Sequence, residues 1–219
     1  MMPTIERSAF CLVIAAPSGA GKTSVTRALL EQEPGLRLSV SMTTRAMRPG
    51  EADGVHYHFR DQPSFDATAA AGGFLEHAGV FERSYGSPRA PVAAWLAEGL
   101  DVVFDIDWQG HRQVRAALPG RVVGLFILPP SRDALAARLA GRGDTAEAIG
   151  KRMAQADAEM SHAAEFDHVV VNDDFAATVA AMRAVVHAQR LARARLVGLE
   201  GFLAEVTRQG RALSAETPG

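Results

Sequence analysis

With 219 residues the chain is long enough for one compact domain with inserts and a real core. A formal net charge of −2 and a pI near 6.4 argue against a broad nucleic-acid-binding face. Cys11 is the single cysteine, which excludes an internal disulfide and a cysteine-rich metal site. Neither a run of about 18 apolar residues nor a signal-peptide pattern is found, so a soluble, cytoplasmic protein with no membrane or nucleic-acid partner is expected.

The apolar run 10–15 predicts a buried strand, and the spacing of Val25, Leu29 and Leu30 predicts a helix over 22–32. Between them stands "APSGAGKTS". Unpaired N–H groups and the positive end of the helix dipole make such a turn an anion holder. The phosphate-loop pattern G-x-x-x-x-G-K-[ST] is met at Gly21, Lys22 and Thr23, while Ala16 replaces the first glycine. Gly19 and Gly21 still free the backbone to turn toward a phosphate. Lys22 is placed to reach the outer phosphates, and the Thr23 hydroxyl to ligate Mg²⁺. Ala16, Pro17, Ser18, Gly19, Ala20, Gly21, Lys22, Thr23 and Ser24 are therefore candidate ATP-binding residues. The bland alternative is an ordinary strand–turn–helix with a stray lysine, and the agreement of strand, turn, helix and residue order weighs against it.

Segment 37–88 breaks the rhythm with short alternating runs and a short helix near 63–71, and reads as a small mixed insert. In it, "SMTTRAMRPGE" sets Arg45 and Arg48 three apart, a spacing suited to clamping a phosphate. The usual fate of such a pair is a solvated basic loop. Further on come Glu76, Tyr85 and Ser87. A lone glutamate between Leu75 and His77 is normally a surface residue. His56 and His58 flank Tyr57, and half-exposed strand histidines are favoured over a metal pair.

Helical patterns follow at 89–98, 131–140, 147–160 and 175–200, and strands at 102–106, 122–128 and 168–172. Strands alternating with helices imply an α/β fold whose parallel sheet is covered on both faces. "LDVVFDIDWQG" ends a buried strand in Asp105 and Asp107, two residues apart and so on one side. They suit the metal or substrate side of a phosphate site, or else cap the helix from Trp108. Segment 131–160, rich in arginine around "GRGD", reads as a mobile helical hairpin. Arg190, Arg193 and Arg195 read as a solvated face or an oligomer contact, Trp95 and Trp108 as core, and the polar tail as frayed at its end.

"APSGAGKTS", "SVSMTTRAMRPGE", "FLEHA", "YGS", "DIDWQG", "FILPPS", "GRG", "KRMAQADAEMSH" and "VNDDF" occur in this order, and along nearly its whole length the chain resembles the bacterial guanylate kinases. The resemblance implies ATP-dependent phosphorylation of GMP or dGMP with Mg²⁺. It implies a P-loop NTPase core (1–37, 89–130 and 161–219), a mixed GMP-binding insert (38–88) and a small helical lid (131–160).

Residue by residue, the resemblance makes Arg45 and Arg48 the clamp on the GMP phosphate, with hydroxyls from Tyr57 and Tyr85. Glu76 becomes the reader of guanine N1–H and N2–H₂, and Ser41 and Ser87 donors to guanine O6. Arg138, Arg142 and Arg152 become the lid arginines that act with Lys22 on the transferring group, and Asn172 the residue near adenine. Asp105 and Asp107 resemble an acidic pair shared between the metal's water shell and the GMP side; Asp105 is assigned to the first and Asp107 to the second, with the division left open. The chain departs from the family at Glu82-Arg83-Ser84, where Gly-Asn-Tyr is common. A phosphopeptide-binding scaffold of the same fold, a kinase of a phosphorylated ribose and an adenylate kinase are the rivals. The monomer-or-oligomer question stays open.

Overall fold

The computed structural model describes residues 3–80, 83–140 and 146–215. The chain starts with β1 (Glu6–Arg7), β2 (Cys11–Ala15), α1 (Lys22–Gln32) and β3 (Leu36–Leu38). A second group of elements is β4 (Met42–Thr43), β5 (His58–Phe59), α2 (Gln62–Ala70), β6 (Phe74–Val80) and β7 (Arg83–Pro88). Then come α3 (Arg89–Ala97), β8 (Asp101–Asp105), α4 (Trp108–Ala117), β9 (Val122–Leu128), α5 (Arg132–Ala140) and α6 (Ala146–Met160). The last elements are β10 (His168–Val171), α7 (Phe175–Leu191), β11 (Leu196–Val197) and α8 (Leu199–Ala215).

Five parallel strands in the order β10-β9-β2-β8-β3 form the main sheet, and β5-β4-β7-β6 a second, mixed one. β2 is buried along its whole length because both faces of the sheet are covered. The period of two sends Phe10, Leu12 and Ile14 to one face, against Leu29 of α1 and Met182 and Val186 of α7. Cys11 and Val13 go to the other, with Val92 of α3, Val114 of α4 and Phe126. Each fully buried large side chain contributes about 1.5–3 kcal/mol. Burial also pushes the Cys11 thiol up to about 12, so it acts as a small apolar core residue.

This architecture is the α/β parallel sheet expected, with three differences in detail. β3 forms the edge of the main sheet at the expected border of core (1–37) and insert (38–88), where no strand was predicted and Leu38 was assigned to the insert. Three residues carry too little periodicity to reveal a strand. The helix predicted over 175–200 stops at Leu191. Ala192 is extended, β11 pairs antiparallel with β1, and Gly198 adopts φ +85° with its backbone against the Thr4 carbonyl. Past that turn α8 runs to Ala215 through part of the tail read as polar and frayed; 216–219 lie outside the described residues.

Of the three arginines read as a solvated face, Arg193 is exposed as expected, and Arg190 and Arg195 are corrected. Arg190 donates to both Glu33 and Asp101, which are 3 % and 0 % exposed, and Arg195 is buried with its guanidinium 4.7 Å from the Phe10 ring centroid. Arg183 and His187 join Arg190 on Glu33, and Arg7 joins it on Asp101. Burial opposes ionisation of Glu33, but hydrogen bonds from Arg183 and His187 hold its carboxyl below the ordinary range. Partners far apart in sequence make this network, so no local pattern announces it. Among the described residues no helix is long and apolar enough to cross a membrane.

Candidate active site

β2 delivers the chain at its C-terminal end into the loop before α1. Gly19 and Gly21 take φ +92° and +94°, and Gly21 caps α1 with no side-chain hydrogen bond. The first N–H groups of α1 are thus offered to an anion. Glycine at 21 is also a steric need, since a Cβ there would lie 2.6 Å from Asn172 Nδ2. A cavity of about 310 Å³ is lined by Ala16, Pro17, Ser18, Gly19, Gly21, Lys22, Thr23 and Ser24, together with Asp107 and Glu159.

The parallel register sets Asp105 beside Ile14, at the same end of the sheet as the loop. Lys22 Nζ lies 2.6 Å from Asp105 Oδ1 and donates to the Ile106 carbonyl at 3.0 Å. The Thr23 hydroxyl lies 3.4 Å from Asp105 Oδ2. A hydroxyl and a carboxylate side by side are hard oxygen donors that fit Mg²⁺, which takes its remaining ligands from water and phosphate. Among the described residues no cluster of three or more histidine, cysteine or acidic groups offers a rival metal site.

Behind the loop, Asn172 Nδ2 donates to the Ala20 carbonyl at 2.7 Å, and Arg138 donates to the Ala20 and Asn172 carbonyls. Asn172 and Arg138 thus brace the phosphate loop. Arg152 stands half-buried on α6, and Arg142 lies outside the described residues. Glu159, also on α6, accepts from the Ser18 N–H at 3.0 Å. Sequence reasoning missed Glu159, which looks like any polar residue on a helix.

A larger cleft of about 560 Å³ meets the first cavity at Thr23. Asp105, Ser41, Arg48, Glu51 and Tyr57 are among the residues that line it. Arg45, 9 % exposed, is forked onto Glu51, and its guanidinium lies 5.3 Å from the Tyr57 ring centroid. Tyr57 and Tyr85 pack edge to face at 6.0 Å. The two arginines, paired by their spacing, and the tyrosines and Ser41, which only the resemblance had pointed to, therefore lie close together; Arg45 is a held side chain and Arg48 is solvated.

The β6–β7 register pairs Glu76 with Ser87. Glu76 is 6 % exposed, contrary to the usual surface glutamate, and accepts from the Ser87 hydroxyl at 2.6 Å. Burial, with Asp107 nearby, pushes its carboxyl above the ordinary range against the pull of Ser87. Asp107 caps α4 through the Gly110 N–H at 2.8 Å, and a Cβ at Gly110 would come 3.3 Å from Glu76 Oε2. His56 accepts from the Ala52 N–H, a structural contact. Arg83 and Ser84 lie on β7, with Gln62 at the Ser84 hydroxyl; Glu82 lies outside the described residues. The whole arrangement can hold a polyphosphate on one wall, an anionic acceptor on the other and a polar ring at a buried carboxylate.

A family model described as guanylate kinase matches residues 8–189. The guanylate kinase of Granulibacter bethesdensis is 59 % identical over 189 residues, 86 % of this chain and 89 % of that protein. That of Rhodospirillum rubrum is 52 % identical over 200 residues, 91 % and 92 % of the two chains. Among solved structures, the guanylate kinase from Anaplasma phagocytophilum superposes with a TM-score of 0.77 at 32 % identity, covering 91 % of this chain and 96 % of its own.

Proposed function

The chain belongs to the guanylate kinase family, a nucleoside monophosphate kinase that phosphorylates GMP, and we propose that it does so by passing the γ-phosphoryl group of ATP directly to GMP or dGMP where its two cavities meet. The observation that carries this reading is that Thr23 lines both cavities, with Lys22 and Asp105 at its side. Donor and acceptor sites on two walls of one junction meet the chief need of the reaction, alignment with charge neutralisation.

In this reading the loop 16–24 and the α1 N-terminus hold the ATP phosphates, Lys22 leaves Asp105 for the outer phosphates, and Thr23 with Asp105 would hold Mg²⁺, Asp105 through water. When bound, the ion neutralises phosphate charge. Arg45, Arg48, Tyr57 and Tyr85 receive the GMP phosphate. Glu76 accepts the two parallel donors of guanine; adenine would turn a lone pair toward it, a mismatch able to discriminate by orders of magnitude. The Ser87 hydroxyl, which now donates to Glu76, turns with Ser41 toward the base oxygen, and Asp107, which lines the phosphate-loop cavity close to Glu76, serves the acceptor side from there. A GMP phosphate oxygen is already ionised near neutral pH, so attack needs no general base from the protein.

The division into core (1–37, 89–130, 161–219), insert (38–88) and lid (131–160) belongs to the same proposal. The mixed sheet lies wholly within 38–88, and α5 and α6 pack on each other through Leu135, Leu139 and Ala156, which supports it. Closure of the lid, bringing Arg138, Arg142 and Arg152 over the transferring group, would exclude water and so prevent ATP hydrolysis. The test is one coupled assay of ATP with GMP, dGMP, AMP, UMP and ribose 1,5-bisphosphate, with and without Mg²⁺. Turnover of the two guanine nucleotides alone, and only with the ion, is expected. Equal turnover of AMP would overturn the guanine reading.

A further inference from the structure

We propose that Glu51 is a positioning residue for the acceptor phosphate: it locks Arg45 and Arg48 into one pre-formed receptor. This rests on the acceptor reading given above for the same cleft.

The local sequence explains the geometry. Arg48-Pro49-Gly50-Glu51 has proline at the second turn position and glycine at the third, the pattern of a type II turn. Gly50 takes φ +83°, and the Glu51 N–H donates to the Arg48 carbonyl at 3.1 Å. The turn swings the Glu51 side chain back over the loop. There one oxygen accepts from Arg45 at 2.7 Å, and the other from Arg45 at 3.0 Å and from the Arg48 N–H at 2.8 Å. A single carboxylate therefore fixes one arginine by its guanidinium and the other by its backbone.

The second support comes from what else holds Arg45. Its guanidinium donates to the Ala46 carbonyl at 2.8 Å and lies 5.3 and 5.6 Å from the ring centroids of Tyr57 and Phe59. Charge-assisted bonds from Arg45, then the Arg48 N–H, bring the Glu51 carboxyl down to about 2, so it stays ionised throughout the working pH range. The Arg45 side chain, which would otherwise be ordered only on ligand binding, is thus ordered beforehand, and Arg48 is fixed at its backbone. The Arg48 side chain is exposed and lines the cleft, open to a phosphate.

A different role for the same contact is a stand-in anion, which a phosphate would displace from Arg45. The two roles predict opposite signs. Glu51→Gln in the full chain, assayed for the KM of GMP and of ATP, kcat, and competitive inhibition by guanosine, separates them. As a positioning residue, Glu51 on removal should raise the KM for GMP by about tenfold, with the KM for ATP and the Ki of guanosine changed less than about twofold. An unchanged or lowered KM for GMP would overturn the proposal, as would equal weakening of GMP and guanosine. Should Glu51→Gln fold poorly in a thermal melt, Gly50→Ala serves instead. It strains the turn at positive φ in open space and alters no charge, and it should raise the KM for GMP in the same selective way; no rise would overturn the proposal. Failure of guanosine to compete with GMP in the unaltered protein would strike the acceptor reading itself, before any Glu51 variant is read.

Discussion

The ammonium of Lys22, at the start of α1, lies 2.6 Å from the carboxylate of Asp105 at the end of β8, a contact set up by the adjacent parallel strands β2 and β8 and not by closeness along the chain. Both side chains are about one quarter exposed, so their mutual attraction is screened and adds little to stability. Lys22→Ala is therefore expected to leave the melting temperature nearly unchanged while kcat falls by about 100-fold or more, the size of effect seen when one transition-state charge donor is removed. Steady-state kinetics beside a thermal melt checks this. Near-normal turnover would remove Lys22 from the mechanism.

The parts of the site that sit together in sequence were legible there. The loop before α1 declares itself because a buried strand, two glycines and a helix start follow one another without interruption. Glu76 was different: its burial comes from the β6–β7 register and the approach of α4, and only the resemblance pointed to it. Glu51 and Glu159 were invisible because each works by accepting from a partner that a turn or a distant helix delivers. The break at Ala192 escaped notice because helical spacing among alanines runs past it, and the pairing of β11 with the far N-terminus is what ends α7.

Glu76 must be ionised to accept two donors from guanine, and its burial raises the pH at which it protonates. Affinity for GMP should accordingly fall with acidification, starting above the ordinary carboxylate value of 4.5. Glu76→Gln should raise the KM for GMP by about 100-fold, leave that for ATP nearly unchanged and flatten this acid limb. A pH series of the KM for both nucleotides is the measurement; equal losses for GMP and ATP would contradict the base-reading role.

The ion network at the opposite end of the sheet makes a stability prediction. Asp101 accepts from Arg7, Arg190 and the Phe10 N–H and is wholly buried. Asp101→Asn takes from Arg7 its carboxylate partner and leaves Arg190 with Glu33 alone, and is expected to cost about 2–3 kcal/mol, below the full range for a wholly buried pair because both arginines are partly exposed. Urea unfolding reads this directly. Turnover per folded molecule should be unchanged, because the network stands far from Lys22 along β8.

His111 offers the last test. It is 1 % exposed on α4, stacked on Phe166 with ring centroids 4.1 Å apart, and its two ring nitrogens have no hydrogen-bond partner among the protein groups described. Burial, with a smaller push from Arg115, brings its pKa from 6.5 down to about 4, while the carboxylates of Asp167 and Glu165 pull the other way. The sign follows from proton counting. Between pH 6.5 and about 4 the unfolded chain binds a proton that the folded one refuses, so stability falls as the pH falls through this window. From pH 7.5 to pH 5 the loss due to this one ring should be about 2 kcal/mol. His111→Leu keeps an apolar group of similar reach against Phe166 and has no proton to bind. Its unfolding free energy, followed by urea at both pH values, should drop by about 2 kcal/mol less than that of the unaltered chain. Parallel pH profiles for the two proteins would show that His111 is not the group that sets the acid sensitivity.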